Sequence, residues 1–327
     1  MTKTDTLKMS AIIGLAVCIL CILAGRKHSD SDSTFSDSAP QDMIHAVTEE
    51  NDTAKATSIT AGRAQTETEP ETAAGSEHIN QNLTGTITMA GSTSMERFAN
   101  ALAESFMTKY PGVTVTVEFT GSSAGIESVL AGSVDIGNSS RNLQAEERSL
   151  GAVENLVAIE GIAVITDTSN QVTDLSTEQL IGIFKGEIRK WSEVGGGDEP
   201  VVVVGREAGS GTRETFEELF GIKDLCAYAN ELNSTGLVMA RVIATPGAIG
   251  YVSTDVLNDT VRALSIDGTD HAEENIKSGC YPLSGPMIMV TNGEISVQSE
   301  AVREMFAYLK SEEGQELIRT VDLIVPD

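Results

Sequence analysis

The sequence predicts an α/β protein built on a mostly parallel sheet with helices on both faces. Three observations carry that expectation. Strand patterns rich in β-branched residues alternate with amphipathic helical ones, the joints between them are tight Gly-Ser or Pro-Gly turns, and no internal repeat of solenoid length organises the chain. With 327 residues the chain is long for one core and suits two units of ordinary domain size.

From the N-terminus, the apolar stretch Met9–Gly25 carries no charge, follows Lys3 and Lys8, and has the length of a signal-peptide core or a short membrane anchor. Residues 1–27 are therefore expected to be a signal peptide or a retained anchor. Lipidation or retention would tether the remainder to the outer, extracytoplasmic face of the cell membrane. A lipoprotein signal wants a small residue before the modified cysteine. Val17 precedes Cys18, while the small residues of Leu23-Ala24-Gly25 are followed by Arg26, so cleavage, lipidation and retention all stay open. Residues 28–83 are rich in Ser, Thr, Asp, Glu and Ala without a sustained hydrophobic period, and acids from Asp30 to Glu77 greatly outnumber Lys55 and Arg63. That composition predicts a disordered acidic tether, extended by self-repulsion.

Beyond Thr84 the alternation begins. Gly85–Ala90 reads as a strand, and Ser94–Tyr110 as a helix with Met95, Phe98, Ala99, Leu102 and Phe106 on one face, ended by Pro111-Gly112. Val113–Phe119 reads as a strand, Gly121–Gly125 as a turn, Ile126–Ala131 as a short helix and Val134–Gly137 as another strand. A second run comprises a strand over Leu156–Thr166, a helix over Thr177–Phe184, a strand over Pro200–Val204 and a helix over Gly211–Phe220.

Composition excludes some functions. Against 48 Asp+Glu stand 22 Lys+Arg, and the formal net charge of −26 opposes nucleic acid and acidic membrane surfaces alike. Hydrophobic residues make up 40% and aromatics 4%, so the core is expected to be mainly Val, Ile, Leu and Ala. The cysteines Cys18, Cys21, Cys226 and Cys280 lack zinc-site spacing and neighbouring histidines, so neither a metal nor a cofactor is expected. An exported chain permits a disulfide between Cys226 and Cys280, with two buried thiols as the alternative.

The chemistry concentrates in turns of one type: Gly91-Ser92-Thr93-Ser94, Gly121-Ser122-Ser123 and Gly209-Ser210-Gly211-Thr212. Each follows a strand and opens a helix. A helix N-terminus presents unpaired N–H groups and a partial positive charge, so such turns bind an anion without net positive charge on the protein. The alternative at each turn is an ordinary N-cap. Two arginines strengthen the anion reading, since a guanidinium fork matches a tetrahedral oxyanion. Arg206 precedes Ser210, with Glu207 placed to hold it, and Arg141 follows Ser139-Ser140. A competing enzyme reading comes from Gly121-Ser122-Ser123-Ala124-Gly125, which satisfies the G-x-S-x-G nucleophile elbow of a serine hydrolase and would need His271 as base.

These residues resemble the substrate-binding component of phosphate ABC transporters, a type 2 periplasmic-binding-protein fold. The resemblance runs from Gly85 nearly to the C-terminus. It rests on Ala90-Gly91-Ser92-Thr93-Ser94, Gly121-Ser122-Ser123-Ala124-Gly125-Ile126, Val134-Asp135-Ile136-Gly137-Asn138-Ser139-Ser140-Arg141 and Arg206-Glu207-Ala208-Gly209-Ser210-Gly211-Thr212-Arg213. Weaker matches are Ile183-Phe184-Lys185-Gly186 leading to Trp191, and Tyr281-Pro282-Leu283-Ser284. The resemblance implies a two-lobed α/β fold with a ligand cleft between lobes joined by two hinge strands. Residues 84–160 plus 284–327 would form one lobe and 161–283 the other. It implies phosphate held by Thr93, Ser94, Ser122 and Ser140 from the first lobe and by Arg206, Ser210, Gly211 and Thr212 from the second, flanked by Ser92, Ser123, Arg141 and Glu207. It further implies a monomeric, non-enzymatic carrier that delivers phosphate to ABC permease subunits, sulfate or another tetrahedral oxyanion being the alternative cargo.

The chain departs from the family at two positions. Ser140 stands where an aspartate accepts the ligand's proton, and Ala208 where an acid braces the binding arginine. Selectivity for protonated phosphate over sulfate must then come from another acceptor, or is weaker than in the family.

Overall fold

In the computed structural model, which describes residues 82–326, the first part of the chain forms β1 (Thr84–Gly91), α1 (Glu96–Lys109), β2 (Gly112–Phe119), α2 (Ser122–Leu130), β3 (Ile136–Ser139) and α3 (Ala145–Ser149). The long strand β4 (Ala152–Asp167) leads to β5 (Asp174–Leu175), α4 (Thr177–Phe184), β6 (Val202–Arg206), α5 (Gly211–Leu219), β7 (Asn230–Leu232), α6 (Thr235–Ala244), β8 (Ala248–Ser253), β9 (Val261–Ala263), β10 (Ser265–Ile266) and α7 (Glu273–Lys277). Strand β11 (Ser284–Asn292), then α8 (Glu300–Lys310) and α9 (Glu312–Thr320), close the chain. The apolar stretch Met9–Gly25 and the acidic tether of residues 28–83 lie outside the described residues, apart from the last two positions of the tether. Among the described residues no helix is long and apolar enough to cross a membrane.

The main sheet runs β2-β1-β3-β11-β4-β8-β6-β7, with β9 also on β4. The expectation of a mostly parallel sheet needs correction, because the sheet is mixed. Its two ends are parallel, β1 with β2 and β3, and β6 with β7 and β8. Its centre is antiparallel, β11 with β3 and β4, and β4 with β8 and β9. The reason is topological: the chain passes from one end of the sheet to the other along β4 and returns along β11, so the two crossing strands run in opposite directions. β4 pairs with β11 as far as Gly161 and with β8 from Ile162 onward.

Helices cover both faces, as expected. Over the β1–β3 end, Phe98, Leu102 and Phe106 of α1 pack with Met305 and Phe306 of α8, while Ile126 and Val129 of α2 meet Ile288 and Val290 on the opposite face. At the β6–β8 end the alternation of β4 sorts its own residues: Ile162 and Val164 join the core holding Phe184, Trp191, Phe216 and Tyr251, whereas Ala163 and Ile165 join Val238 and Val242 of α6. Although the chain is poor in aromatics, it gathers rings here, with Phe216 and Tyr251 stacked at 4.3 Å.

Several boundaries move for local reasons. α2 starts at Ser122 rather than Ile126, because Gly121 takes φ +92 and its Cα position needs no further turn residues. β3 extends beyond the expected Gly137 through Asn138 and Ser139, because both are buried in ladders with β1 and β11. Asp135 stays outside the strand, where its carboxylate accepts from Thr88 N (2.7 Å) and Oγ1 (2.7 Å). α1 is preceded by a 3-10 turn at Thr93–Met95. Strand β11 and helices α6, α8 and α9 had no counterpart among the expected elements.

Cys226 and Cys280 do not pair; both are free thiols, the first half-buried and the second exposed. Burial pushes the Cys226 thiol up to about 11. Alkylation of unreduced protein at neutral pH, read by peptide mapping, should label Cys280 rapidly and Cys226 slowly. Recovery of a linked Cys226–Cys280 peptide would contradict the two free thiols.

Glycine sets how closely α2 sits on the sheet. A Cβ at Gly125 would stand 2.5 Å from the Ala90 carbonyl oxygen and 2.6 Å from Gly91 Cα, both rigid backbone. Gly125→Ala should therefore lower stability by about 1–3 kcal/mol in urea unfolding, by pushing α2 off β1. An unchanged midpoint would mean that the helix shifts at no cost.

Candidate functional site

Each turn singled out from sequence lies at the carboxyl end of a parallel strand: Ser92–Ser94 after β1, Gly121–Ser123 after β2, Ser140 after β3 and Arg206–Thr212 after β6. The first three are interlaced by backbone. Ser92 N donates to the Asn138 carbonyl at 2.8 Å, and the N–H groups of Thr120 and Gly121 both donate to the Gly91 carbonyl at 2.9 Å. Gly91 permits this because a Cβ there would fall 2.0 Å from the Asn138 oxygen.

The structure brings the hydroxyls into one buried cluster. Ser140 Oγ lies 2.9 Å from Ser92 Oγ, 3.2 Å from Thr212 Oγ1 and 3.4 Å from Ser122 Oγ. Ser92 Oγ lies 3.0 Å from Ser94 Oγ. Ser122 Oγ accepts from the backbone N–H of Ser140 and of Gly211, each at 3.2 Å. Ser210 serves as the N-cap of α5, accepting from Arg213 N, so one residue of the turn has the ordinary capping role while its neighbours Gly211 and Thr212 face the cluster.

Arg206 is 2% exposed, and burying a guanidinium requires partners for its donors. Its Nε and Nη2 donate to Glu207 Oε2 and Oε1 at 3.2 and 2.9 Å, and Nη1 donates to Thr235 Oγ1 at 3.2 Å. The bracing acid thought missing at Ala208 is therefore present one position earlier. Both Glu207 oxygens thus accept from Arg206 and fix its fork. Behind Arg206, its own N–H donates to Tyr251 Oη (3.4 Å) and its carbonyl accepts from Arg213 Nη1 (2.8 Å). Arg141 is also buried, yet its donors go to Glu147, Glu214, Asn142 O and Ser123 Oγ. It straps α3 to α5 and gives the cluster no free positive charge.

Two participants were not found from sequence. Thr235, at the start of α6, receives Arg206 and donates its N–H to Thr93 Oγ1 at 3.2 Å, which adds a fourth helix N-terminus to the cluster. The turn Ser234-Thr235-Gly236 carried the same Gly-hydroxyl signature as the others. The second is Glu160, a fully buried acid on β4 beside Ser94, Ser253, Asp255 and Arg206, neither of whose oxygens closes a hydrogen bond. A lone acid inside Ala158-Ile159-Glu160-Gly161-Ile162 was its signal. Desolvation pushes the Glu160 carboxyl up to about 8 and that of Asp255 up to about 6, the neighbouring Asp255 charge adding to the first.

The nucleophile elbow has no hydrolase geometry. Among the described residues the partners of Ser122 Oγ are Ser140 and Gly211, and His271, on the segment between β10 and α7, is not one of them. Among the described residues no group of three or more His, Cys, Asp and Glu could hold a metal ion.

Helix N-termini, hydroxyls and one braced arginine converge where the strands of a mixed sheet end, and that is the construction of a solute-binding protein for a small anion. Residues 40–313 match the PBP superfamily domain. The chain belongs to this superfamily and, within it, to the PstS phosphate-binding protein family. The phosphate-binding protein PstS of Bacillus subtilis is 35% identical over 254 residues, 75% of this chain and 82% of its own length. That of Borreliella burgdorferi is 26% identical over 73% of this chain and 89% of its own length. A candidate phosphate ABC transporter substrate-binding protein of Clostridium perfringens, solved with bound phosphate, superposes with a TM-score of 0.72 at 36% identity, covering 74% of this chain and 100% of its own. An ABC-type phosphate transport receptor of Vibrio cholerae gives 0.63 at 35% identity, over 73% and 100%.

Glu160 has a consequence for stability. An acid held neutral by the fold binds its proton more tightly folded than unfolded, so its contribution is intact at about pH 4 and is lost as the pH rises through about 8. Glu160→Gln should match the parent in stability at about pH 4.5 and exceed it at about pH 9, by on the order of a few kcal/mol. Urea titrations at both pH values check this. A stability difference that does not change with pH would put the ionisation of Glu160 in the ordinary carboxylate range.

Proposed function

We propose that the chain is an extracytoplasmic binding protein that captures inorganic phosphate between two lobes and delivers it to the permease subunits of an ABC transporter. The lobes in this reading are residues 84–160 with 284–327, and 161–283, with β4 and β11 as the hinge strands. The division of the cores supports it: among the described residues one pair of clusters lies on each side, and only Ile324 and the partly buried Ile159 cross over. Phosphate is held by Thr93, Ser94, Ser122 and Ser140 from one side and Arg206, Ser210, Gly211 and Thr212 from the other. Ser92, Ser123, Arg141 and Glu207 hold these in place. The protein acts as a monomer tethered through residues 1–83, and transfer needs no covalent step.

The observation that carries the reading is the setting of Arg206. The buried Arg206 guanidinium is braced so that its fork is fixed, among hydroxyls contributed by four separate turns. Lobe closure supplies the hydroxyl pairs Ser140–Thr212 and Thr93–Thr235. In a closed, water-poor cleft each such donor is stronger than in water, which is how a protein of net charge −26 holds an anion.

Isothermal titration with phosphate, sulfate, molybdate and tungstate tests cargo and site together. Phosphate should bind most tightly. Arg206→Ala should weaken binding by about 2–5 kcal/mol, since it removes a charge-assisted pair from a desolvated site. Ser210→Ala and Thr93→Ala should each cost less, about 1–3 kcal/mol. Undiminished affinity in Arg206→Ala would remove that residue from the site, and silence of both hydroxyl variants would refute the convergence of turns on one ligand.

A further inference from the structure

The hydroxyls of the site form a chain whose far end is a buried acid with no role assigned so far. Ser140 Oγ, Ser92 Oγ and Ser94 Oγ follow one another at 2.9 and 3.0 Å, and in both contacts either oxygen can be the donor. Beyond Ser94 lies Glu160, fully buried, its carboxyl flanked by the Ser94 and Ser253 hydroxyls, which hold its ionisation below where burial alone would put it without closing a hydrogen bond to either oxygen in this arrangement. Each hydroxyl has one hydrogen to give, so the direction in which it donates at one end of the chain constrains the next member.

We propose that Glu160 sets the donor direction of the Ser94–Ser92–Ser140 chain and thereby decides whether Ser140 offers the bound oxyanion a lone pair or a hydrogen. The inference rests on the oxyanion reading of the site. When Glu160 is a carboxylate, Ser94 turns its hydrogen to it, Ser92 donates to Ser94, and Ser140 donates to Ser92. Ser140 then faces the ligand with lone pairs only, which suit a protonated ligand oxygen and leave a bare one opposed by an acceptor. When Glu160 carries its proton, Ser94 is released, the chain reverses, and Ser140 donates to an unprotonated oxygen.

The groups facing Glu160 leave it free to act this way. Its ladder partner on β11, Gly285, has no side chain. Ser253 at the end of β8 and Ser94 ahead of α1 are hydroxyls. The charged neighbours are Asp255, after β8, which opposes its ionisation, and Arg206, on β6, which favours it. Asp255 is itself set between Arg97 and Asp322. Desolvation and Asp255 together bring the ionisation of Glu160 to about 8, so the direction of the chain changes in the weakly alkaline range.

Sulfate reads this cleanly, because it does not titrate near neutrality and any pH dependence belongs to the protein. Phosphate and sulfate dissociation constants would be measured at pH 6, 7, 8 and 9 for the wild type, Glu160→Gln and Ser92→Ala, with a phosphate-induced rise in melting temperature confirming that each variant is folded. In the wild type, sulfate should weaken about tenfold or more between the lowest and highest pH. Glu160→Gln, which cannot ionise, should be flat within about twofold. Ser92→Ala keeps the Glu160 charge but cuts the chain and should also be flat. Should Ser92→Ala fail to fold, Ser94→Ala cuts the chain at the next link. A wild-type slope surviving in the cut chain would show action by charge through space and overturn the relay. A flat wild-type sulfate profile, or sulfate excluded at every pH while phosphate binds, would overturn it as well. Absence of phosphate binding by the wild type has a different signature, and would fell the oxyanion reading itself.

Discussion

The interaction on which the site depends is the burial of one guanidinium. Arg206 sits at the last position of β6, 2% exposed, in a chain whose acids outnumber its bases by more than two to one. A charge removed from water must be paired and hydrogen-bonded or the fold does not tolerate it. The surrounding elements meet that demand one donor at a time. Glu207, the next residue, takes two donors, Thr235 at the start of α6 takes a third, and the Leu232 carbonyl at the end of β7 shares Nε. The placement of α6 and β7 is thus part of the same solution as the placement of Arg206. The ring cluster behind it excludes water from that side, Tyr251 meeting the Arg206 N–H while stacked on Phe216.

Glu207 lies at the surface on one side, with 31% of its side chain exposed, and its charge offsets that of Arg206 without filling the cleft. Beside this pair, the field at the hydroxyl cluster comes from dipoles: the N-termini of the 3-10 turn before α1, of α2, α5 and α6, and the hydroxyls between them. Dipoles act over short distances and are unaffected by net charge, which reconciles the acidic surface with an anionic ligand. The arrangement also explains why glycine recurs here. Gly211 stands so close to Ser122 and Ser140 that a Cβ would fall 2.4 and 2.8 Å from their oxygens, so no other residue lets α5 point its first N–H groups into the cluster.

Much of this was legible in sequence because it is local chemistry. The Gly-Ser turns, the Arg206–Glu207 adjacency and the strand–turn–helix alternation are set within a few residues of each other, and the family motifs span the same segments. The parts that were not legible are set by distant pairing. The antiparallel centre of the sheet requires knowing that β11 returns alongside β4, and no local pattern encodes that. The strand expected over Val134–Gly137 runs on through Asn138 and Ser139, because the ladders on both sides bury these polar residues. Arg141 is expected in a supporting role beside the site, and its pairs with Glu147 and with Glu214, brought in by α5, show which elements it ties together. Thr235 and Glu160 carried visible signals whose meaning depended on which strand ends meet.

Glu160 differs from the polar groups of the hydroxyl cluster in closing no hydrogen bond, which it shares with its neighbours Asp255 and Ser253. Ser122, Ser140 and Arg206 are satisfied by neighbours that also position them. A carboxyl with both oxygens unbonded in the interior of a crossing strand weakens the fold, and an apolar residue of similar size would pack there at less cost. Retaining a group that costs stability at a point where β4 changes partners, one hydroxyl away from the ligand cluster, is understandable if the group serves binding rather than folding. The same position makes it sensitive to the relative placement of the two halves of the sheet, since Ser94 approaches it from one half and Ser253 from the other. A buried acid between two hydroxyls from opposite halves of the sheet is therefore a group whose surroundings depend on how those halves are placed.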